Sequence, residues 1–481
     1  MIQKKSPSPV QNSKKLNKDI LLVTYIFLGL FLILVGYFAY LTAFSSQKQI
    51  NNPYNKLINL ASNSVVRGNI YSSDGKLLAT TAYDDDNEEY RYYPYGKEYC
   101  HVIGSIDKGL YGLEAAYNFE LLSSNDSILT KIGNDLSDKK DNGNSIVTTL
   151  DSKIQDAAFE ALKPYDGAVI VMNSKTGAIL AMVSNPGYDP NKISEEWDSI
   201  NSESSSVLLN RATQGLYTPG SVFKVITLYE YLSEGNTEDS YNYDCSGSIT
   251  IDGEVIHCIN GQSHGSVNLR DSFAYSCNCS FVNIGKQISS EKLFSTCENL
   301  LFNQKLPVKL SYKQSSFTLK KDSSDFLKSQ TVFGQGETLM SPIHAAIITQ
   351  AIANNGVAME PRFVESMKDT SDHTIKTYGS KTYKTLFQPE MAEKLKAYMG
   401  AVVEYGTAER LNHYSNLTVY GKTGSAEIDS ERNINSWFMG FAENANTNEN
   451  YTIVVVAENV ASGTSPAPSV TIANQILKVL D

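Results

Sequence analysis

The amino-acid sequence predicts an α+β fold: an antiparallel sheet flanked by helices, set on a smaller strand-rich domain and preceded by one apolar helix near the N-terminus. Three observations carry that expectation. Strand-like runs stand at both ends of the long C-terminal part, at 146–150, 168–172 and 178–183, and again at 436–441 and 452–457. Helical periodicity fills much of the stretch between them, from Ser221 to about Leu301, and helices lying between the strands of one sheet pack on its faces. From Ile20 to Phe44 there is no charged residue at all.

Residues 1–19 are polar and hold Lys4, Lys5, Lys14, Lys15 and Lys18 against the single Asp19. The apolar run 20–44, at about 1.5 Å per residue, spans the roughly 30 Å hydrocarbon core and reads as a transmembrane helix. A cleaved signal peptide would have an apolar region of about 7–15 residues and a small-x-small site after it, and neither is present. Lysines before the span and only Lys48 soon after it place residues 1–19 in the cytoplasm and the body outside the cell membrane. Residues 45–144 are turn-rich and strand-like; their tyrosine cluster (Tyr90, Tyr92, Tyr93, Tyr95, Tyr99) reads as the packing of a half-exposed sheet.

A second domain, 145–481, is expected to open with the strand 146–150 and a helix from Lys153 to Lys163. A hairpin turned at Lys175-Thr176-Gly177 follows, and a helix from Ser469 to Leu480 closes the chain. At 481 residues the chain has room for two or three domains, and its net charge of −11 argues against a nucleic-acid partner.

Three short stretches carry the chemistry. In Tyr217-Thr218-Pro219-Gly220-Ser221-Val222-Phe223-Lys224, a turn at Pro219-Gly220 leads into a buried helix, so Ser221 is expected in its first turn. Free backbone N–H groups and the helix dipole there favour a developing negative charge, and Lys224 shares the face of Ser221. Lysine takes a serine proton only if burial or a neighbouring cation lowers its pKa from about 10.4. Ser276-Cys277-Asn278 offers a hydroxyl and an amide one residue apart, expected to point the same way from a locally extended turn. In Tyr420-Gly421-Lys422-Thr423-Gly424-Ser425 a strand lines up a cation, hydroxyls and a bare glycine beside a cleft.

In this order, S-x-x-K, S-x-N and K-T-G resemble the motifs of the class B penicillin-binding proteins, the monofunctional D,D-transpeptidases of bacterial cell-wall synthesis. The resemblance extends through Arg67-Gly68-Asn69-Ile70, Gly75, Leu78-Ala79, Gly112-Leu113-Glu114, Thr149-Leu150-Asp151, Gln155, the run 176–182 and Asp189-Pro190-Asn191. Gly334-Gln335-Gly336 and Gly406-Thr407-Ala408 complete it, so that it covers the chain from about Tyr54 onward. Ser72 departs from the pattern, standing where the family has aspartate.

The resemblance implies a penicillin-binding transpeptidase domain over 145–481 on a pedestal over 45–144. Ser221 is then the nucleophile toward a D-alanyl-D-alanine stem peptide of peptidoglycan, Lys224 its base, Ser276 and Asn278 the proton relay and amide holder, and Lys422 the second cation. Thr423, Gly424 and Ser425 bind the substrate, and β-lactams acylate the same serine. No cofactor is required for this chemistry, and glycan polymerisation falls to a membrane glycosyltransferase partner. A serine β-lactamase would share the motifs, but no E-x-x-L-N stretch lies between Asn278 and Lys422. A receptor or scaffold that keeps the pocket would retain all of them. Asp151, Arg211 and Glu114 read as capping or salt-bridge residues, and Trp437 as a buried aromatic.

Four of the six cysteines (Cys245, Cys258, Cys277, Cys279) and two of the six histidines (His257, His264) fall within about 35 residues of one another. A hairpin turned at Asp252-Gly253 would set Cys258 opposite Gly247 with Cys245 diagonal to it. Diagonal neighbours lie about 7–8 Å apart, too far for a relaxed disulfide, whereas zinc with sulfur ligands at about 2.3 Å spans the gap. Cys245, Cys258, His264 and Cys279 are the candidate ligands of a structural zinc. A Cys245–Cys258 disulfide is the competing expectation and free buried thiols the third, and Cys277 is expected to be a buried core thiol.

Overall fold

The computed structural model describes residues 9–40, 64–202, 204–428 and 433–481. The expected tail at 1–8, the end of the expected span at 41–44 and the following residues to 63 lie outside the described residues. The chain forms two units, 1–62 and 63–481. In the first, a helix runs from Pro9 to Tyr40, and its segment Ile20–Tyr40, 21 residues with mean hydropathy 2.6, is long and apolar enough to cross a membrane.

In the second unit a five-stranded sheet runs, in spatial order, Leu417–Glu427, Asn433–Asn444, Asn450–Ala461, Gly167–Asn173 and Ile179–Asn185, antiparallel throughout. The two ends of the domain do meet, as alternating apolar strands at both ends require. All seven residues of Gly167–Asn173 are buried, so both faces of the sheet are covered. Helices Ser152–Leu162 and Pro468–Leu480 pack on each other and on the sheet. Helix Pro342–Ala353, apolar all round and buried at every position, packs on the three central strands as a core helix.

A second sheet of six strands has the order Thr374–Thr377, Val364–Lys368, Ser145–Thr148, Ile70–Tyr71, Leu77–Tyr83 and Glu89–Tyr92. The strand expected to open the second domain pairs in parallel with Ile70–Tyr71 and antiparallel with Val364–Lys368. The two sheets share one continuous buried core running from Ile70 to Leu480.

Residues read as structural take those places. Glu114, fully buried, accepts from Arg67 Nε at 2.6 Å and Arg91 Nε at 2.8 Å. Burial alone would raise its pKa, but the two guanidiniums hold it below the usual carboxylate range. Asp151 caps helix Ser152–Leu162 by accepting from Lys153 N and Ile154 N. Arg211 Nε donates to Glu458 at 2.8 Å. At the departure from the family pattern, buried Ser72 Oγ accepts from Lys76 N at 2.8 Å, while the Asp74 carboxylate takes the Ser152 hydroxyl at 2.5 Å.

Candidate active site

Gly220–Phe223 forms a single 3₁₀ turn that runs directly into helix Lys224–Ser233, placing Ser221 in the first turn. Gly220 has φ of 56°, and its N–H donates to Gly334 O at 2.8 Å. A Cβ on Gly334 would stand 1.8 Å from Gly220 O, and one on Gly220 would stand 2.9 Å from the Ser425 carbonyl. Only bare backbone lets the serine turn wedge between the Gly334 loop and the strand Leu417–Glu427. From the other side, Trp437, fully buried, donates its Nε1–H to Thr218 O at 3.1 Å and holds the approach to Ser221.

Leu417–Glu427 is the edge strand of the five-stranded sheet. Its side chains alternate: Lys422, Gly424 and Ala426 are buried, whereas Thr423 and Ser425 are partly open and Glu427 is exposed. Lys422 therefore points inward, where it meets Ser276. The backbone there is not the extended turn expected from the sequence. Ser276 is left-handed, with φ of 57°, between helix Leu269–Ala274 and helix Asn278–Gln287, which Cys277 caps. That single left-handed residue lets Ser276 and Asn278 face one amine although Asn278 is already helical.

The amine is Lys224. Its Nζ donates to Ser276 O at 2.7 Å and Asn278 Oδ1 at 2.7 Å, with Ser276 Oγ at 3.2 Å. Lys422 Nζ lies 2.9 Å from the same Ser276 Oγ and 3.1 Å from Thr423 O. Both lysines are fully buried, and among the described residues neither forms an ion pair. A neutral amine has two N–H bonds and one lone pair. The two carbonyl acceptors at 2.7 Å match those two bonds and leave the lone pair of Lys224 to receive a proton from a hydroxyl. Burial, opposed by the neighbouring Cys277, Cys258 and Cys279, brings Lys224 down to about 8; burial and then Lys224 itself push Lys422 well below its ordinary value.

Ser221 is 5% exposed, and its Oγ has no hydrogen-bond partner among the described residues. Together with Asn278, Ser425, Glu427, His257, Gln330, Gln335 and others it lines a cleft of about 930 Å³. Thr423 Oγ1 is 2.6 Å from Thr407 Oγ1, and Thr407 N donates to Ala274 O at 3.2 Å. Thr407 thus ties the K-T-G strand to the helix that precedes S-x-N. Its G-T-A stretch is visible in the sequence, but nothing local there announces the link.

Beside Ser276 and Asn278 the thiols form a cluster. The hairpin turns at Asp252-Gly253, with Ile251 opposite Glu254 and Cys258 N donating to Gly247 O at 3.0 Å, the expected register. Cys258 Sγ lies 3.7 Å from Cys245 Sγ, 3.7 Å from Cys277 Sγ and 3.5 Å from Cys279 Sγ, and Cys245 Sγ lies 3.6 Å from His264 Nδ1. All these cysteines are free thiols. Hydrogen bonding with Cys277 and Cys279 holds the Cys258 thiol well down and pushes those two up.

The ligand atoms of Cys245, Cys258, His264 and Cys277 all lie within 4.8 Å of one another. A tetrahedron with Zn–S of about 2.3 Å and Zn–N of about 2.0–2.1 Å has edges of roughly 3.8 Å between sulfurs and 3.5 Å from sulfur to nitrogen. Three separations within the set, Cys258–Cys245 and Cys258–Cys277 at 3.7 Å and Cys245–His264 at 3.6 Å, match those edges. Cys277 stands in it where Cys279 was expected, because the left-handed Ser276 turns the Cys277 side chain under the helix N-terminus, where it also accepts from Ser280 N at 3.4 Å.

Comparison with known proteins agrees with this geometry. Residues 167–478 match the penicillin binding protein transpeptidase domain, and residues 67–146 match the penicillin binding protein A dimerisation domain. The chain is 29% identical over 416 residues to the peptidoglycan D,D-transpeptidase PbpA of Mycolicibacterium smegmatis, covering 81% of this chain and 84% of the relative. Among solved structures, the imipenem acyl-enzyme complex of penicillin-binding protein A from M. tuberculosis superposes with a TM-score of 0.78 at 27% identity, over 87% of this chain and 99% of that one. A D,D-transpeptidase domain from Eggerthella lenta gives 0.77 at 27% identity, over 87% and 98%. A transpeptidase match over well more than half its length, on a fold that assembles all three motifs, means that the chain belongs to the penicillin-binding protein transpeptidase family.

Proposed function

We propose that this chain is a peptidoglycan D,D-transpeptidase working through an acyl-enzyme on Ser221, with β-lactams acylating the same serine. Ser221 Oγ attacks the carbonyl of the penultimate D-alanine while its proton passes to the neutral Lys224 amine. Ser276 Oγ, in reach of both lysines, relays a proton to the departing D-alanine nitrogen as the peptide bond breaks. The amine of a neighbouring stem peptide then attacks the ester, a new amide bond forms, and Ser221 recovers its proton. Asn278 orients Lys224 and holds the substrate amide; Thr423 and Ser425 hydroxyls receive the substrate carboxylate, while Lys422 faces inward to the same Ser276 hydroxyl as Lys224. Gly424 lets the peptide lie along the edge strand, and the backbone N–H groups of Ser221 and Ser425 receive the oxyanion.

The observation that carries this reading is the buried, carboxylate-free amine of Lys224 whose two N–H bonds both go to carbonyls. Ser221→Ala should fold normally and form no covalent adduct with a fluorescent penicillin. An undiminished adduct mapped to another serine would overturn the assignment.

The finer parts of the reading concern organisation and setting. The apolar helix anchors the protein in the cell membrane, residues 1–19 are cytoplasmic, and the catalytic domain is extracellular. The functional pieces are the tail 1–19, the span 20–44, the pedestal 45–144 and the transpeptidase domain 145–481, with strands at 145–148 and 364–377 contributed to the pedestal sheet. A membrane glycosyltransferase supplies the glycan. Cys245, Cys258, His264 and Cys277 hold a structural zinc that takes no part in the reaction and braces the loop carrying Ser276 and Asn278.

A further inference from the structure

We propose that the short helix Ile128–Leu136 of the pedestal lays its apolar face on the lipid surface of the membrane in which the N-terminal helix is anchored. The proposal rests on that anchoring. Leu129, Ile132 and Leu136, spaced three and four residues apart, share one face of the helix and are 82%, 49% and 83% exposed. Outside the N-terminal helix, no other described large aliphatic side chain exceeds 51%. The amphipathicity of this helix is inverted relative to the body. Its less exposed described residues are polar: Lys131 Nζ donates to Ser124 O at 2.9 Å and Asn134 Nδ2 to Asp141 Oδ1 at 3.0 Å, so polar contacts fasten the helix while Leu129, Ile132 and Leu136 face outward. Among the described residues nothing covers these three side chains.

The connectivity points to lipid as the occupant. Val65–Val66, where the described chain resumes after the apolar helix, pairs with Asp141–Asn142, and Asp141 is the residue that holds Asn134. The helix is therefore fastened beside Val65–Val66, where the described chain resumes. Residues 41–63 separate that point from Tyr40, a reach of at most roughly 80 Å, so the bilayer is the apolar surface held at high local concentration. Three aliphatic side chains fall short of the roughly 800 Å² per partner that a specific protein interface buries, which disfavours a second copy. Around them Lys131 and Lys139 are balanced by Asp135 and Asp138, so contact should depend on apolar insertion and not on anionic headgroups.

The test uses the full-length chain in phosphatidylcholine vesicles whose acyl chains carry bromine. Tryptophan introduced by Ile132→Trp should be quenched roughly twofold or more relative to Thr130→Trp on the polar side, with no change on adding salt. Adding Leu129→Gln and Leu136→Gln should abolish the difference, while penicillin labelling, unaffected, reports an intact fold. Equal quenching in the two variants overturns the proposal, as does blue-shifted emission from the Ile132→Trp variant that bromine does not quench, which would report a second copy. Flotation separates the two readings: a chain that does not float with the vesicles defeats the anchoring itself, and the docking with it.

Discussion

Two of the places where this protein buries cations do so in opposite ways. In the pedestal, Arg67 and Arg91 close on the Glu114 carboxylate, so every formal charge there has an opposite within 2.8 Å. In the cleft, Lys224 and Lys422 are buried as completely, yet among the described residues their hydrogen-bond partners are carbonyl and hydroxyl oxygens and no carboxylate, with the Phe281 and Phe273 rings beside them. A compensated cluster is a structural brace. An uncompensated pair holds a bias toward losing a proton, and the cavity beside it is where that bias can act on a substrate.

Substitutions at the two places should therefore separate activity from stability. Lys224→Met fills a similar volume without a charge, so the fold should survive while acylation by a penicillin falls by roughly 10²–10⁴-fold, read by stopped-flow labelling of the folded protein. Glu114→Gln should do the reverse. Leaving two guanidiniums buried without their carboxylate destabilises by about 3–5 kcal/mol in chemical denaturation, while the acylation rate of the folded fraction stays unchanged. If Glu114→Gln slows acylation in fully folded protein, the pedestal cluster is more than a brace.

A smaller effect is expected between these two regimes. Cys258→Ser removes the sulfur that touches three other thiols, and should lower acylation by roughly 10–100-fold without altering the nucleophile. Metal analysis of protein purified without chelator should find one zinc per chain in the parent and none in the variant. Metal-free parent protein with full activity would remove the zinc from the account.

The sequence displays much of this contrast and hides a specific remainder. Ser221, Lys224, Ser276, Asn278 and Lys422 stand in short motifs whose order alone announces them, because each motif is a local solution to placing a polar group at a turn or strand. The hairpin register follows from Asp252-Gly253 for the same reason. Hidden are the relations that depend on long-range placement. Thr407 meets Thr423 across two elements, and the strand at 145–148 finds partners at 70–71 and 364–368. The direction of the Cys277 side chain depends on the left-handed conformation of Ser276, a residue type with no special liking for it, so Cys279 looks the better ligand from spacing alone. The arginines that close on Glu114 likewise stand 47 and 23 residues before it.

The central claim, that burial holds Lys224 as a neutral base, is tested most directly by the pH dependence of the acylation rate at saturating β-lactam. The neutral amine is the reactive form, so the rate should rise with pH through about 8 and level off above it. Burial and the Lys224 charge push Lys422 further down, so Lys422 is the neutral partner where Lys224 titrates, and Lys422→Met should leave the midpoint near 8. A rate that is flat between pH 6 and 10 (roughly the span in which a perturbed lysine titrates) would contradict it.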